Sequence, residues 1–279
     1  MIETVTELSR LRAVVNGWKR EGLRVALVPT MGNLHAGHYS LVTLARQYAD
    51  RVVSSVFVNP TQFGPNEDFT RYPRTPEADT SGLEQAGCDV LWLPTVESMY
   101  PFGVELAANV HVPGISSLLE GAHRPGHFDG VCTVVSRLFN QVQPDVAAFG
   151  KKDYQQLAVI RQLVEDLAFP IQIVGGDIVR EDDGLAMSSR NQYLNGEQRP
   201  VSTTIHQVLL GMREGFIAGK ARSLIEAEGV MIDESVLTGG SKPKPPPPCS
   251  PPASRSTTPS SACRTCPSRP TATSATASP

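Results

Sequence analysis

No apolar stretch in the 279 residues approaches the length of a membrane span, so a transmembrane helix is excluded as an organising element. An excess of positive charge is also lacking. With 25 Lys and Arg against 28 Asp and Glu, and no basic run, the chain offers no electrostatic footprint for nucleic acid. Cysteine is sparse, five in all, and only Cys88 and Cys132 lie before the final segment. Scattered thiols without a pairing framework fit a reduced, cytoplasmic protein. Residues 1–22 are amphipathic and charged and lack the apolar core of a secretory signal.

The sharpest absence is at the C-terminal end. After Leu237 there is no Val, Ile, Leu, Met, Phe, Tyr or Trp, and after Glu234 no acidic residue. A segment of Pro, Ser, Thr and Ala cannot offset the entropy of ordering its backbone, so residues 238–279 are expected to be disordered. The abrupt change of composition reads as translation in a shifted frame or a faulty gene model. Cys263-x-x-Cys266 has no core to position it and no second ligand pair, so it is not read as a zinc or redox site.

What is present centres on residues 24–50. Val25, Ala26, Leu27 and Val28 form a short apolar run that suits a parallel strand covered on both faces. Pro29 ends it, and Leu41, Leu44, Ala45 and Tyr48 recur at helical spacing beyond. His35 and His38 then fall at the mouth of a helix beginning near Ala36, where free N–H groups and the helix dipole favour phosphate. Gly37 between them lets a flat ligand approach the backbone, and Gly32 relaxes the turn after Met31. A lone histidine here would more often be structural; two flanking a glycine behind a parallel strand favour a functional reading.

Further elements repeat the pattern. A first helix is predicted over 5–19, strands over 51–58, 89–93, 104–112, 145–149 and 171–174, and a short helix over 77–86. The apolar positions Val131, Val134, Val135, Leu138 and Phe139 predict another helix, and Leu157, Ile160, Val164 and Leu167 the next. Ile178 to Arg180 reads as a short extended piece, and 201–218 as a helix after a start at 195–198. Asn59-Pro60-Thr61-Gln62-Phe63-Gly64 stands at a strand tip, where an amide can read a polar substrate or the string can simply reverse the chain. Gly150-Lys151-Lys152-Asp153 opens the helix that carries Gln156. Lys152 can offer a point charge to a triphosphate. Asp153 and Gln156 equally fit a capping box, and the two roles can coexist. His123, His127 and Asp129 could be taken for metal ligands, but their Gly- and Pro-rich surroundings supply no further ligand or second shell, and a structural loop is preferred.

His35-Ala36-Gly37-His38 resembles the HxGH signature of the nucleotidyltransferase superfamily. The longer string Pro29-Thr30-Met31-Gly32-Asn33-Leu34-His35 is similar to the pantoate:beta-alanine ligase family, and Met187-Ser188-Ser189-Arg190 resembles the KMSKS-type loop in that family's form. The resemblance spans about 5–218. It implies an α/β, Rossmann-like domain with a parallel sheet over 1–185 and a C-terminal lid domain, of which 186–237 would be a part; the tail over 238–279 departs from the family pattern.

By the same resemblance ATP lies against Met31, Gly32, Asn33, Leu34, His35, Ala36, Gly37, His38, Gly150, Lys151, Lys152, Asp153, Val179, Met187, Ser188, Ser189 and Arg190. Gln62 holds pantoate and beta-alanine, Gln156 holds pantoate, and residues 124–130 form a substrate-proximal loop. The implied reaction condenses pantoate with beta-alanine at the expense of ATP, with Mg²⁺ on the phosphates and no protein metal cluster, in a homodimer. Catalysis falls to His38, His35, Lys152 and Arg190, with an imidazolium at His38 as expected proton donor to the leaving group. Two alternatives are another HxGH nucleotidyltransferase and a truncated product that binds ATP without turnover.

Overall fold

The computed structural model describes residues 2–217. From the N-terminus run β1 (Glu3–Val5), α1 (Leu8–Arg20), β2 (Val25–Thr30), α2 (Ala36–Ala45), β3 (Arg51–Val56), α3 (Pro76–Gln85) and β4 (Val90–Trp92). The short α4 (Val96–Met99) and α5 (Glu120–His123) precede α6 (His127–Val142), β5 (Val146–Gly150), α7 (Tyr154–Asp166), β6 (Gln172–Gly176), α8 (Gln198–Val201) and α9 (Thr204–Ile217).

The strands form one parallel sheet in the order β1-β4-β3-β2-β5-β6. Strand side chains alternate between two cores, as the two-residue period requires. Val25 and Leu27 of β2 face the core built with α1, α6 and α7, whereas Ala26 and Val28 face the core built with α2 and α3. Both sides are therefore dry, which explains the uninterrupted apolar run. The chain winds outward from β2 to β3 and β4, then returns to the other side of β2 as β5. That reversal opens a crevice beyond the carboxyl ends of β2 and β5, where ligands of such sheets bind.

Differences from the sequence expectations are local. The first helix begins at Leu8, because residues 3–5 form an edge strand on β4 too short to show periodicity. The strand expected over 104–112 is absent. That segment is tied to α6 instead: the Val110 N–H donates to Thr133 Oγ1 at 2.9 Å, and the Thr133 hydroxyl donates to Asn109 Oδ1 at 2.9 Å. The helix expected over 201–218 is split between α8 and α9, and residue 218 lies outside the described residues, as do the rest of the expected lid, the tail and its Cys263-x-x-Cys266.

Candidate active site

The turn leaving β2 uses Gly32 at φ +89° and Asn33 at φ +50°, both left-handed. Side-chain space is limited too, since a Cβ on Gly32 would lie 3.1 Å from Val56 Cγ1 and 3.2 Å from Asp79 Oδ2. Asp79 clamps the turn from α3. Its Oδ2 accepts from the Asn33 N–H at 2.9 Å, and its Oδ1 accepts from the Leu34 N–H and the Thr75 hydroxyl at 2.8 and 2.9 Å. Sequence reasoning passed over this buried acid, because an aspartate in the first turn of a helix reads as a complement to the helix dipole. Asp79→Ala is expected to strand two backbone donors, lower stability by about 1–3 kcal/mol per donor and raise the ATP KM. Thermal melting and ATP titration of the variant would check this; an unaltered ATP KM would separate the clamp from the nucleotide.

His35 is the N-cap of α2 and makes a reciprocal capping box with His38. The Gly37 N–H donates to His35 Nδ1 at 3.2 Å, and the His35 N–H donates to His38 Nδ1 at 3.3 Å. A backbone N–H can only donate, so each Nδ1 is an acceptor and each ring proton resides on Nε2. The ring centroids are 4.1 Å apart. A Cβ on Gly37 would come within 3.0 Å of the His35 ring, which is why the intervening residue has no side chain.

Burial, then the neighbouring His35 and Lys152, push His38 down to about 3, and burial with Lys152 also lowers His35. The expectation of an imidazolium at His38 is therefore corrected: burial favours the neutral ring, with Nδ1 accepting and the Nε2–H left free to donate. Linkage gives this a sign. With the native value near 3 and the ordinary value at 6.5, the unfolded chain binds more protons in that window, so stability falls as pH drops from about 6.5. His38→Asn should flatten this fall in melting curves between about pH 7.5 and about pH 5; an unchanged slope would assign the acid sensitivity elsewhere.

The second helix mouth follows β5. Residues Lys151–Asp153 form a 3-10 turn before α7. Lys151 is paired with Asp177 at 2.5 Å, and Lys152, whose Nζ lies 3.0 Å from Asp153 Oδ1, is the lysine of this helix mouth that lines the cavity. The capping box considered for Asp153 and Gln156 does not form: Asp153 makes no side-chain cap, because the 3-10 turn takes its carboxylate toward Lys152.

Gln62 closes a 3-10 turn at the end of β3. Asn59 fixes that amide: its Oδ1 accepts from the Thr61 N–H, and its Nδ2 donates to the Gly130 carbonyl at 3.2 Å and to Gln62 Oε1 at 3.1 Å. With Gln62 Oε1 engaged, Nε2 is left to the cavity, where its one hydrogen-bond partner among the described residues is Met31 Sδ at 3.2 Å. The substrate-proximal loop braces the same turn. His127 donates from Nδ1 to the Gln62 carbonyl at 2.8 Å, and Arg124 bonds Glu67, Glu120 and His127. Asp129 instead pairs with His111 at 2.8 Å, so His127 and Asp129 are engaged with different partners. Among the described residues no group of His, Cys, Asp and Glu forms a metal-ligand set.

One cavity collects most of the expected residues: Met31, His35, Gly37, His38, Gln62, Gly150, Lys152, Asp153, Gln156, Val179, Met187, Ser188, Ser189 and Arg190. Gly32, Asn33, Leu34, Ala36 and Lys151 are outside its lining. They shape its walls from behind: Asn33 Nδ2 donates to the Ser189 carbonyl at 3.3 Å while the Ser189 hydroxyl donates to the Asn33 carbonyl at 2.9 Å. That reciprocal pair clasps the 187–190 loop onto the histidine turn. Val179 stands beside Gly37 and accepts from the Met187 N–H at 2.9 Å. Sequence reasoning missed the apolar wall, Val131, Val134, Val135 and Leu138 of α6, whose helical spacing reads as core.

A strand-order reversal whose two helix mouths converge on one cavity lined by Lys152 and Arg190, with a serine-arginine loop clasped over it, defines an α/β enzyme of the nucleotide-activating class. The chain belongs to the pantoate-beta-alanine ligase family, whose model matches residues 3–240. It is 78% identical over 226 residues to the pantothenate synthetase of Xanthomonas axonopodis pv. citri (strain 306), covering 81% of each chain. To that of Stenotrophomonas maltophilia (strain K279a) it is 71% identical over 245 residues, 85% of this chain and 88% of the other. The crystal structure of the pantothenate synthetase from Thermus thermophilus superposes with a TM-score of 0.76 at 50% identity, covering 85% of this chain and 83% of that one. A pantoate-beta-alanine ligase from Francisella tularensis, solved with beta-gamma ATP and beta-alanine, gives 0.70 at 35% identity over 75% and 79% of the chains.

Proposed function

We propose that this chain is a ligase that condenses pantoate with beta-alanine in an ATP-dependent reaction, giving pantothenate, AMP and pyrophosphate. The observation that carries this reading is a single cavity with two amides, Gln62 and Gln156, beside the apolar wall of α6 and open to both phosphate-favouring helix mouths. Pantoate has a carboxylate, two hydroxyls and a dimethyl carbon, which match those three surroundings. A cytidylyl- or adenylyltransferase of the same superfamily has no need of the paired amides.

In the first step a pantoate carboxylate oxygen bonds to the α-phosphorus and pyrophosphate leaves. The carboxylate is already ionised, so this step asks for positioning and for stabilisation of the charge gathering on pyrophosphate. His35 and His38 supply neutral Nε2–H donors, and Lys152, Ser188, Ser189 and Arg190 supply cations and hydroxyls. In the second step the beta-alanine amine, held near Gln62, attacks the acyl carbon; AMP departs and the nitrogen loses a proton. The nucleotide lies against residues 31–38, 150–153, 179 and 187–190. Mg²⁺ would be held by the phosphate oxygens of the nucleotide and by water, and would supply neutralisation of the charge on the phosphates.

The reading extends to a nucleotide- and pantoate-binding domain over 1–185 and a lid over 186–237. It places the protein in the cytoplasm as a homodimer, supported by the free buried thiols of Cys88 and Cys132 and by the exposed Phe102, Leu106 and Leu119. No helix among the described residues is long and apolar enough to cross a membrane. The test is AMP release from ATP and Mg²⁺ with pantoate, with and without beta-alanine. Stoichiometric AMP and pantothenate with both substrates is the expected result. Stabilisation by ATP without turnover would favour the inactive truncated form, and transfer of the nucleotide into the product would favour the other transferases.

A further inference from the structure

The Ser188-Ser189-Arg190 loop reaches the cavity from far along the chain, and its guanidinium is the long, flexible group that an incoming triphosphate has to find in one place. In this structure Arg190 is already held. Its Nε donates to Asp68 Oδ2 and its Nη2 to Asp68 Oδ1, both at 2.9 Å, the parallel fork that fixes a guanidinium plane. The Tyr72 ring lies beneath, its centroid 5.3 Å from the guanidinium carbon. Tyr193 adds a hydroxyl 3.4 Å from Asp68 Oδ2 and 3.3 Å from the Arg71 carbonyl.

The fork leaves a defined remainder. Asp68 occupies Nε and Nη2, while Nη1 has no hydrogen-bond partner among the described residues. Arg190 and Tyr72 line the cavity and Asp68 does not, so the carboxylate grips the guanidinium from outside. The Asp68 side chain is 15% exposed against 43% for Arg190, so the anchor is packed and the cation is accessible. At its other end the loop is fixed by the Asn33–Ser189 pair. Asp68 lies in the stretch after the Gln62 turn, outside the expected site residues.

We propose that Asp68 is a positioning residue that holds the Arg190 guanidinium with Nη1 presented to the nucleotide phosphates, without itself touching the substrate. The inference rests on the ligase reading, in which Arg190 serves the triphosphate. Its chemistry is pre-organisation: a long side chain with several rotatable bonds is ordered before ATP arrives, so less freedom is lost on binding. An anion beside a phosphate site would otherwise oppose binding, and what offsets that repulsion is the fixed geometry of the cation it holds.

The test compares Asp68→Asn, Asp68→Glu, Arg190→Ala and the Asp68→Asn/Arg190→Ala double variant of the full chain in single-turnover adenylate formation and in steady state. Asp68→Asn is expected to slow the first step or raise the ATP KM by about 10- to 100-fold, the scale of a misplaced positioning group, with the beta-alanine KM unmoved. Asp68→Glu should recover part of the loss. In the double variant the Asp68 change should add nothing to Arg190→Ala, the non-additivity expected of groups acting through one another. A normal ATP step in Asp68→Asn with a damaged Arg190→Ala overturns the positioning role and leaves the ligase reading intact. A lower ATP KM in Asp68→Asn also overturns it, by making Asp68 a competitor of the phosphates. If Arg190→Ala too is unimpaired, the role assigned to Arg190 itself fails.

Discussion

His38→Ala is expected to lower the rate of pantoyl adenylate formation by about 10²–10³-fold, the cost typical of removing one pre-organised donor from developing charge. The geometry gives the reason. His38 Nδ1 is occupied by the His35 N–H, so the ring cannot rotate without breaking the capping box, and its Nε2–H is aimed by the same bond that caps the helix. Because burial holds the ring neutral, the proposed hydrogen bond to pyrophosphate carries no desolvation cost of an imidazolium. Pantoate binding should change much less, since the amides proposed to hold it come from other segments, Gln62 from the turn after β3 and Gln156 from the first turn of α7. Single-turnover rates beside a pantoate titration would separate the two effects. An unchanged first-step rate would remove His38 from the chemistry.

Gly130→Ala should be the most disruptive single-methyl change near the substrate amides. A Cβ there would lie 2.4 Å from the Thr61 carbonyl oxygen, 2.6 Å from its carbon and 2.7 Å from Gln62 Cα, all backbone atoms that cannot rotate away. Either α6 or the Asn59–Gln62 turn has to shift, and the Asn59 to Gly130 bond that orients the Gln62 amide is lost with it. Overpacking of this kind costs about 1–3 kcal/mol. A displaced amide should raise the pantoate KM by about tenfold or more. Gly17→Ala in α1 is the control: nothing lies within 4 Å of its added Cβ, so there alanine should stabilise by roughly 0.8–1 kcal/mol through helix propensity alone. Melting temperatures moving in opposite directions would bear the argument out; a Gly130→Ala protein with normal pantoate KM would sink it.

The two glycines show how much could be read in advance. The structure places both inside helices, α1 and α6, where propensity alone would assign them the same cost. Their difference lies in what approaches from a distant segment of the chain. Asp79 makes the same point. In the chain it is one acid among several near a helix start, and only in space do its two oxygens meet the Asn33 and Leu34 N–H groups. The strand expected over 104–112 failed for a related reason: alternation of side chains does not supply a neighbour with free backbone groups, and Thr133 of α6 took up the Val110 N–H and the Asn109 Oδ1 of that segment instead.

The pieces with local causes were legible from residue order: the dry apolar run of β2, the paired histidines at the following helix mouth, the Gly150–Asp153 turn and the change of composition after Leu237. Each depends on interactions within a few residues or on composition, where spacing carries the physics. The charge on His38, the direction of the Gln62 amide, the bracing of His127 and the grip of Asp68 on Arg190 were settled by the fold. Burial, hydrogen-bond direction and ion pairing depend on distances between segments, and those distances exist only once the sheet has closed its strand order around the crevice.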